Sequence, residues 1–457
     1  MWSIHTKKYV SEGITLNKNL IYDIHDKPKF GSLLIFALQQ VLAILAATIL
    51  VPAIVGNGMS QSAALFGAGI GTLVYQLFTK FKSPVFLGSS FAFIGSMGAA
   101  FGGAASAAAG YAGLILGAVF AALVYVVIAL VIKFVGVQWI NKLMPAVVIG
   151  PTVALIGLSL SVNAVNDLTV GKVATCSPYV ALICGIITLF AIFAFSVYGK
   201  KMAKLIPFVL GICVGYIVAS IFTVIGILAK IPELEVINFA AFQGMQIFAI
   251  PDFSFIEAFK GVKEIDGSLI ATVAVAYIPV AFVVFAEHIA DHKNLSSIIE
   301  KDLLVEPGLD RTLLGDGIGS MAGAFFGGCP NTTYGESVGC VAITRNASVI
   351  TVSTAAIMSI VISFFGPFVT FLSSIPNCVM GGVCIALYGF IAVSGLKMIQ
   401  NVDLNDSRNL FTVSAILIPG IGGLTLSFGQ ITLTTVACSL ILGIITNIVL
   451  NKFAKKN

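Results

Sequence analysis

The chain has 457 residues, 58% of them apolar and only 10% charged, with a mean hydropathy of +1.04. Apolar runs of about 20 residues recur along nearly its whole length, which excludes a soluble domain and points to an all-α polytopic membrane protein. The net charge of +5 comes from cations in short loops between apolar runs rather than along one face, which excludes a nucleic-acid partner.

Residues 1–30 are polar and contain no apolar signal-peptide core, so they read as a cytoplasmic arm in which His5 and His25 are solvated. Fourteen spans follow, at 31–56, 61–79, 84–97, 109–133, 143–162, 178–197, 205–229, 269–292, 313–327, 331–346, 348–372, 376–393, 410–424 and 432–450. An even number puts both termini on one side. Of the 25 cations, only Lys172, Lys230, Lys260 and Lys263 fall on the other side. The positive-inside rule therefore sets both termini in the cytoplasm and the protein in the cytoplasmic membrane. The expected units are the arm (1–30), a first seven-span repeat (31–229), an extracellular loop (230–268), a second seven-span repeat (269–450) and a cytoplasmic tail (451–457). An odd number of spans per half inverts one repeat relative to the other. The halves also echo each other locally: Pro145 and Pro376 each open an apolar run with a glycine, Gly150 or Gly381, five residues on.

Two spans are short and interrupted. One, Pro84–Met97, has Gly88, Ser89 and Ser90 at its middle; the other, from Gly327, has Pro330 followed by small and polar residues. Irregular backbone at membrane depth needs protein or a wet cavity around it, because its N–H and C=O groups require partners. Matched broken segments, one per half, mark the binding site of many secondary transporters. Their half-helix N-termini present unpaired N–H donors.

The chain is organised around Ala281–His292, AFVVFAEHIADH, where Glu287 and Asp291 stand four residues apart on one helix face. A carboxylate facing hydrocarbon costs about 2.5–3.5 kcal/mol, so such a pair is expected to face a protein interior or cavity. Hydropathy alone puts Glu287 near the end of its span. The helical pattern, however, continues through Ile299 with no proline before Pro307, giving a helix of about 45 Å that holds Glu287 well inside. The only other acid that reads as intramembrane is Glu336, in the second broken segment. His288 and His292 flank the acid pair, and a structural role is favoured over a proton relay for both.

Gly315, Gly319, Gly323 and Gly327 form a bare stripe for close helix packing, as do Gly67 and Gly71. The match Gly317, Gly319, Ala322 to a dinucleotide fingerprint is rejected, since no strand precedes it. The eight cysteines form no C-x-x-C pair and read as small apolar residues. With no Walker lysine, metal motif or nucleophile elbow, the sequence argues against an enzyme and calls for no cofactor or metal.

The runs QQVLAILAATILVP (39–52), LGSSFAFIGS (87–96), AEHIADH (286–292), KDLLVEPGLDR (301–311), PNTTYGESVGCVAITR (330–345) and VMGGVCIALYGFIAVSG (379–395) carry a family resemblance. Through them the chain resembles the nucleobase–ascorbate transporter family, and within it the bacterial uracil permeases. The resemblance implies fourteen transmembrane segments as two inverted seven-segment repeats, arranged as a core plus gate domain. It also implies short antiparallel strands in the two broken segments, with the substrate between them. By position Glu287 matches the acid that binds the base and Glu336 the second acid. Gly335 matches a backbone N–H contact, Phe91 a ring packed near the base, and Tyr388 an aromatic on the gate side. The sequence departs from the pattern at Gln40 (often His), Asp291 (His in some uracil permeases) and Ser337 (often Asn).

Together these features lead to the expectation of a uracil:proton symporter, with Glu287 and Asp291 coupling proton uptake to import. Its partners would be uracil or a related nucleobase, protons and the lipid bilayer; a homodimer is compatible with the sequence. A purine (xanthine or urate) permease of the same fold is the nearest alternative. An anion exchanger or channel fits less well, because two acids at the site oppose an anion.

Overall fold

The computed structural model describes residues 20–136, 144–428 and 431–454. Most of the expected arm (1–19), the start of the span expected at 143–162 and the end of the tail (455–457) lie outside the described residues.

The first half contains α1 (Phe30–Val55), α2 (Gln61–Phe78), β1 (Leu87–Ser89), α3 (Ile94–Gly102), α4 (Ala107–Val135), α5 (Ala146–Ser159), α6 (Ser161–Asp167), α7 (Pro178–Tyr198), α8 (Met202–Leu205) and α9 (Pro207–Ala229). The second half contains α10 (Ser254–Gly261), α11 (Gly267–Ile299), α12 (Leu309–Gly327), β2 (Asn331–Thr333), α13 (Gly335–Thr344), α14 (Val349–Ser363), α15 (Gly366–Ser374), α16 (Asn377–Met398), α17 (Ser407–Ile421), β3 (Leu426–Phe428), β4 (Ile431–Leu433) and α18 (Thr435–Ala454). Among the described residues, eight helices are long and apolar enough to cross a membrane, including α1, α4, α11 and α16. The chain is thus a multi-pass helical membrane protein.

Polar residues start these helices by accepting hydrogen bonds from otherwise orphaned amides. The Ser60 and Ser106 hydroxyls accept from Ala63 N–H (3.3 Å) and Ala109 N–H (3.1 Å), and the Asp266 carboxylate accepts from Leu269 N–H (2.7 Å). That last cap opens α11, a 33-residue helix that continues past the acid pair to Ile299.

The helices pack as two groups. In one, α2 and α4 flank α12, α14 lies on α2, and α11 lies on α4. In the other, α16 packs on α5 and α7, α9 on α7, and α17 between α5 and α18. The glycine stripes set the tightest crossing. A Cβ added at Gly67 would stand 2.6 Å from the Gly323 carbonyl oxygen, and one at Gly327 2.6 Å from that of Ala63, so α2 and α12 meet backbone to backbone.

The two interrupted stretches meet as strands. β1 pairs antiparallel with β2, in the register Leu87 with Thr333, Gly88 with Thr332 and Ser89 with Asn331. All six residues are buried. Their edges are satisfied internally, as an apolar surrounding requires. Leu87 N–H donates to the Thr72 hydroxyl (2.9 Å), Ser90 N–H to the Pro330 carbonyl (2.9 Å), and the Tyr334 hydroxyl to the Ser89 carbonyl (2.6 Å). Each strand is followed by a short helix, α3 or α13.

The structure differs from the expected elements in several places, of which three bear on how the helices pack. The single span expected at 348–372 is two helices, α14 and α15, broken at Phe364–Phe365. Pro367 lacks an amide to continue the ladder, and residues 247–249 pair with the break through Gly366 N–H to Ile247 O and Ala249 N–H to Phe364 O, both 2.9 Å. The loop expected at 230–268 contains a helix, α10, seated on α4. The end of the expected arm is docked against the second half of the chain. Ile24 is buried, Ala347 N–H donates to Tyr22 O (2.9 Å), Val349 N–H donates to Ile24 O (3.0 Å), and Lys301 pairs with Asp23 at 2.6 Å. His25, in contrast, is exposed as expected.

Candidate functional site

A cavity of about 130 Å³ lies between the two helix groups, where the strand junction faces α16. Glu287 and Asp291 contribute one wall from successive turns of α11. Gly335 and Glu336 line it from the first turn of α13, where amide groups lack intrahelical partners. Phe91 lines it from the turn after β1. The opposite wall is largely apolar, with Val153 and Ile156 of α5 and Phe390, Ile391, Ser394 and Met398 of α16.

The strand junction positions the acids. Asp291 Oδ2 accepts from the Thr333 hydroxyl of β2 at 2.7 Å, which fixes α11 against that strand. A Cβ at Gly335 would meet nothing nearer than Asp291 Oδ1 at 3.9 Å, so the missing side chain leaves open space beside the α13 amides. Among the described residues, those lining the cavity include neither lysine nor arginine. Chemically the cavity offers carboxylate acceptors on two walls, amide donors at a helix start, and apolar surface for a flat ring.

Of the residues expected at the site, Phe91, Glu287, Asp291, Gly335 and Glu336 share this cavity. Tyr388 does not line it. It is buried against Phe91, with ring centroids 6.1 Å apart and planes at 75°. The residues of α16 that reach the cavity lie further along the helix, at Phe390, Ile391, Ser394 and Met398.

Glu336 is not the only further acid in the interior, as sequence reasoning had it. Asp316 of α12 is fully buried and its Oδ2 lies 2.8 Å from His288 Nδ1, while His288 Nε2 lies 3.0 Å from the Thr312 hydroxyl. His292 Nδ1 donates to the His288 carbonyl (2.8 Å) and its Nε2 meets the Tyr75 hydroxyl (2.7 Å), which is 2.7 Å from the Ser83 hydroxyl. The two imidazoles stack with centroids 4.0 Å apart. Both histidines thus tie α11 to α12 and α2 from the side away from the cavity. The signal for Asp316 was available: it is an acid inside a glycine-rich apolar span, four residues after Thr312 and so on the same face.

Residues 31–429 match the sequence model of a family described as a permease family. The uracil permease of Bacillus caldolyticus is 38% identical over 441 residues, covering 95% of this chain and 95% of that protein. The uracil permease of Bacillus subtilis (strain 168) is 36% identical over 460 residues, covering 95% of this chain and 96% of that protein. In three dimensions the chain is similar to the transmembrane domain of a cyanobacterium bicarbonate transporter, BicA. The TM-score is 0.63 at 15% identity, over 93% of this chain and 100% of that one, a likeness of fold alone. With the family match spanning nearly its whole length, the chain belongs to this permease family.

Proposed function

We propose that this protein is a uracil permease of the cytoplasmic membrane that imports uracil together with protons. The observation that carries the proposal is one small cavity lined by both Glu287 and Glu336, from different helices, and faced by a largely apolar wall. Uracil has two N–H donors and two carbonyl acceptors on one planar ring. The two carboxylates accept from the N–H groups, the amides at the start of α13 donate to a carbonyl, and Phe91 covers a ring face. A ligand lacking those groups would leave buried acids unpaired, which supplies discrimination. Among the described residues no cation lines the cavity, which favours a nucleobase over an anion, and the small volume favours one ring over two. Identity to curated uracil permeases over nearly the whole chain points the same way.

In this proposal the chain forms two inverted repeats, 31–229 and 269–450, with both termini in the cytoplasm. The group containing α11, α12 and the strand junction acts as the core, and the group containing α5 and α16 as the gate. Carboxylates one turn apart share protons as a pair, so Glu287 and Asp291 couple proton uptake to gate movement. One proton moving down 100 mV supplies about 2.3 kcal/mol, enough for roughly fifty-fold accumulation of a neutral solute. Labelled uracil uptake into proteoliposomes under an imposed proton gradient tests this. Uptake collapsed by a protonophore is expected; uptake indifferent to it rules out proton coupling, and a purine outcompeting uracil reassigns the substrate.

A further inference from the structure

Three cavities lie in series from the acidic site to the face where α1 ends, the extracellular face in the proposed orientation. The outermost, about 770 Å³, separates the α1–α2 connection from α6 and the loop after it. The middle one, about 380 Å³, lies between α3, the α5–α6 junction and the start of α18. The innermost is the acidic site. The middle and inner cavities share Phe91, Ala92 and Ile156, so a thin apolar partition divides them. The outer and middle cavities share one lining residue, Asn163 of α6.

Asn163 is exposed to these spaces, and within the described residues its carboxamide makes no hydrogen bond. Two serines of the middle cavity are committed elsewhere: the Ser96 hydroxyl donates to Ala276 O (2.7 Å) and the Ser159 hydroxyl to Ile156 O (3.0 Å). A carboxamide presents a donor and an acceptor side by side in one plane. An imide or amide edge of a heterocycle presents the complementary pair, N–H beside C=O. We propose that Asn163 forms a transit site, capturing that edge of the incoming base before it passes Phe91 to the acids. The substrate class rests on the uracil reading above; the position of the site rests on the cavities.

A transit site changes the rate of reaching the inner site and not the equilibrium occupancy of it, so kcat/KM for uptake and Kd separate. Uptake of labelled uracil by cells lacking their own uracil carrier and calorimetric binding by the purified full-length protein are compared for the wild type and Asn163→Leu. The expected result is a fall of at least fivefold in kcat/KM for uptake, with uracil Kd changed less than twofold. Asn163→Gln, which restores a carboxamide, should recover most of the rate. Uptake by Asn163→Leu at the wild-type rate overturns the proposal, and so does an equal loss of uracil affinity, which would move Asn163 into the binding site itself. If Asn163→Leu does not fold, Asn163→Ala against Asn163→Gln makes the same comparison. Wild-type protein that binds no uracil contradicts the substrate assignment instead. The same variants, read with whichever nucleobase stabilises the protein, then decide the transit role.

Discussion

The Gln40 amide of α1 donates a hydrogen bond to the Ser337 hydroxyl of α13, and both side chains are buried. These are two of the three positions at which the sequence departs from the uracil-permease pattern. The two side chains at these positions thus contact each other directly. Ser337 also accepts from Phe86 N–H at 3.1 Å, so the pair joins α1, the strand junction and the helix holding Glu336.

Ser337→Ala should leave two buried donors without an acceptor and cost about 1–3 kcal/mol. Installing the family pattern at both positions, Gln40→His with Ser337→Asn, should be better tolerated than either change alone, with a coupling of about 0.5–3 kcal/mol. A double-mutant cycle on thermal stability in detergent measures this. Additive single effects would mean the two side chains act independently.

Asp316 and His288 form a buried pair at 2.8 Å, so removing one member strands the other. Asp316→Ala should destabilise the protein by about 3–5 kcal/mol. Asp316→Asn keeps an acceptor for His288 and should cost less. Melting curves that rank Asn no better than Ala would remove the hydrogen bond from its role.

The crossing of α2 and α12 leaves no room for a methyl group. A Cβ at Gly323 would lie 2.2 Å from Asn331 Nδ2, whose amide donates to Gly67 O at 2.9 Å and anchors β2. Gly323→Ala should therefore lower stability and weaken nucleobase binding together. At Gly339, in α13, an added Cβ meets nothing within 4 Å, and alanine there should gain up to about 1 kcal/mol of helix propensity. Equal behaviour of the two variants would contradict the close packing.

The docked end of the arm is held partly by charge. Burial alone would raise the Asp23 carboxyl, but its hydrogen bonds from Lys301 and Ile24 N–H and the Lys301 charge outweigh that and hold it below the usual range. A lowered folded-state pKa gives a contribution present above the unfolded value, about 3.9, and lost as pH falls through the folded one. Both side chains are nearly half exposed, so the effect is small and screened by salt. Lys301→Ala should speed amide exchange at Ala347 and Val349, which bond to the arm, while leaving α11 around Glu287 unchanged. Unchanged exchange at both amides would show that the pair does not hold the arm.

The membrane made the principal features legible. A carboxylate pair in an apolar run and small polar residues in a broken span are costly there, so Glu287, Asp291 and Glu336 stand out against leucine and valine. Asp316 stands out less, because its span reads as a packing stripe of glycines. The break at Phe364–Phe365 is stabilised by residues more than a hundred positions earlier, a pairing no local pattern encodes. Tyr388 lies on the correct helix, but helical phase decides which of Tyr388, Ile391 and Ser394 reaches the cavity, and an apolar helix buried on several sides has no pattern to set that phase.

The most direct test is calorimetric titration of uracil into the purified protein and into Glu287→Gln and Glu336→Gln. Each replacement keeps size and removes the charge that accepts from a ring N–H. Binding by the wild type, with each variant at least tenfold weaker and still folded, is the expected result. Unaltered affinity in either variant would mean that the two acids do not hold the base between them.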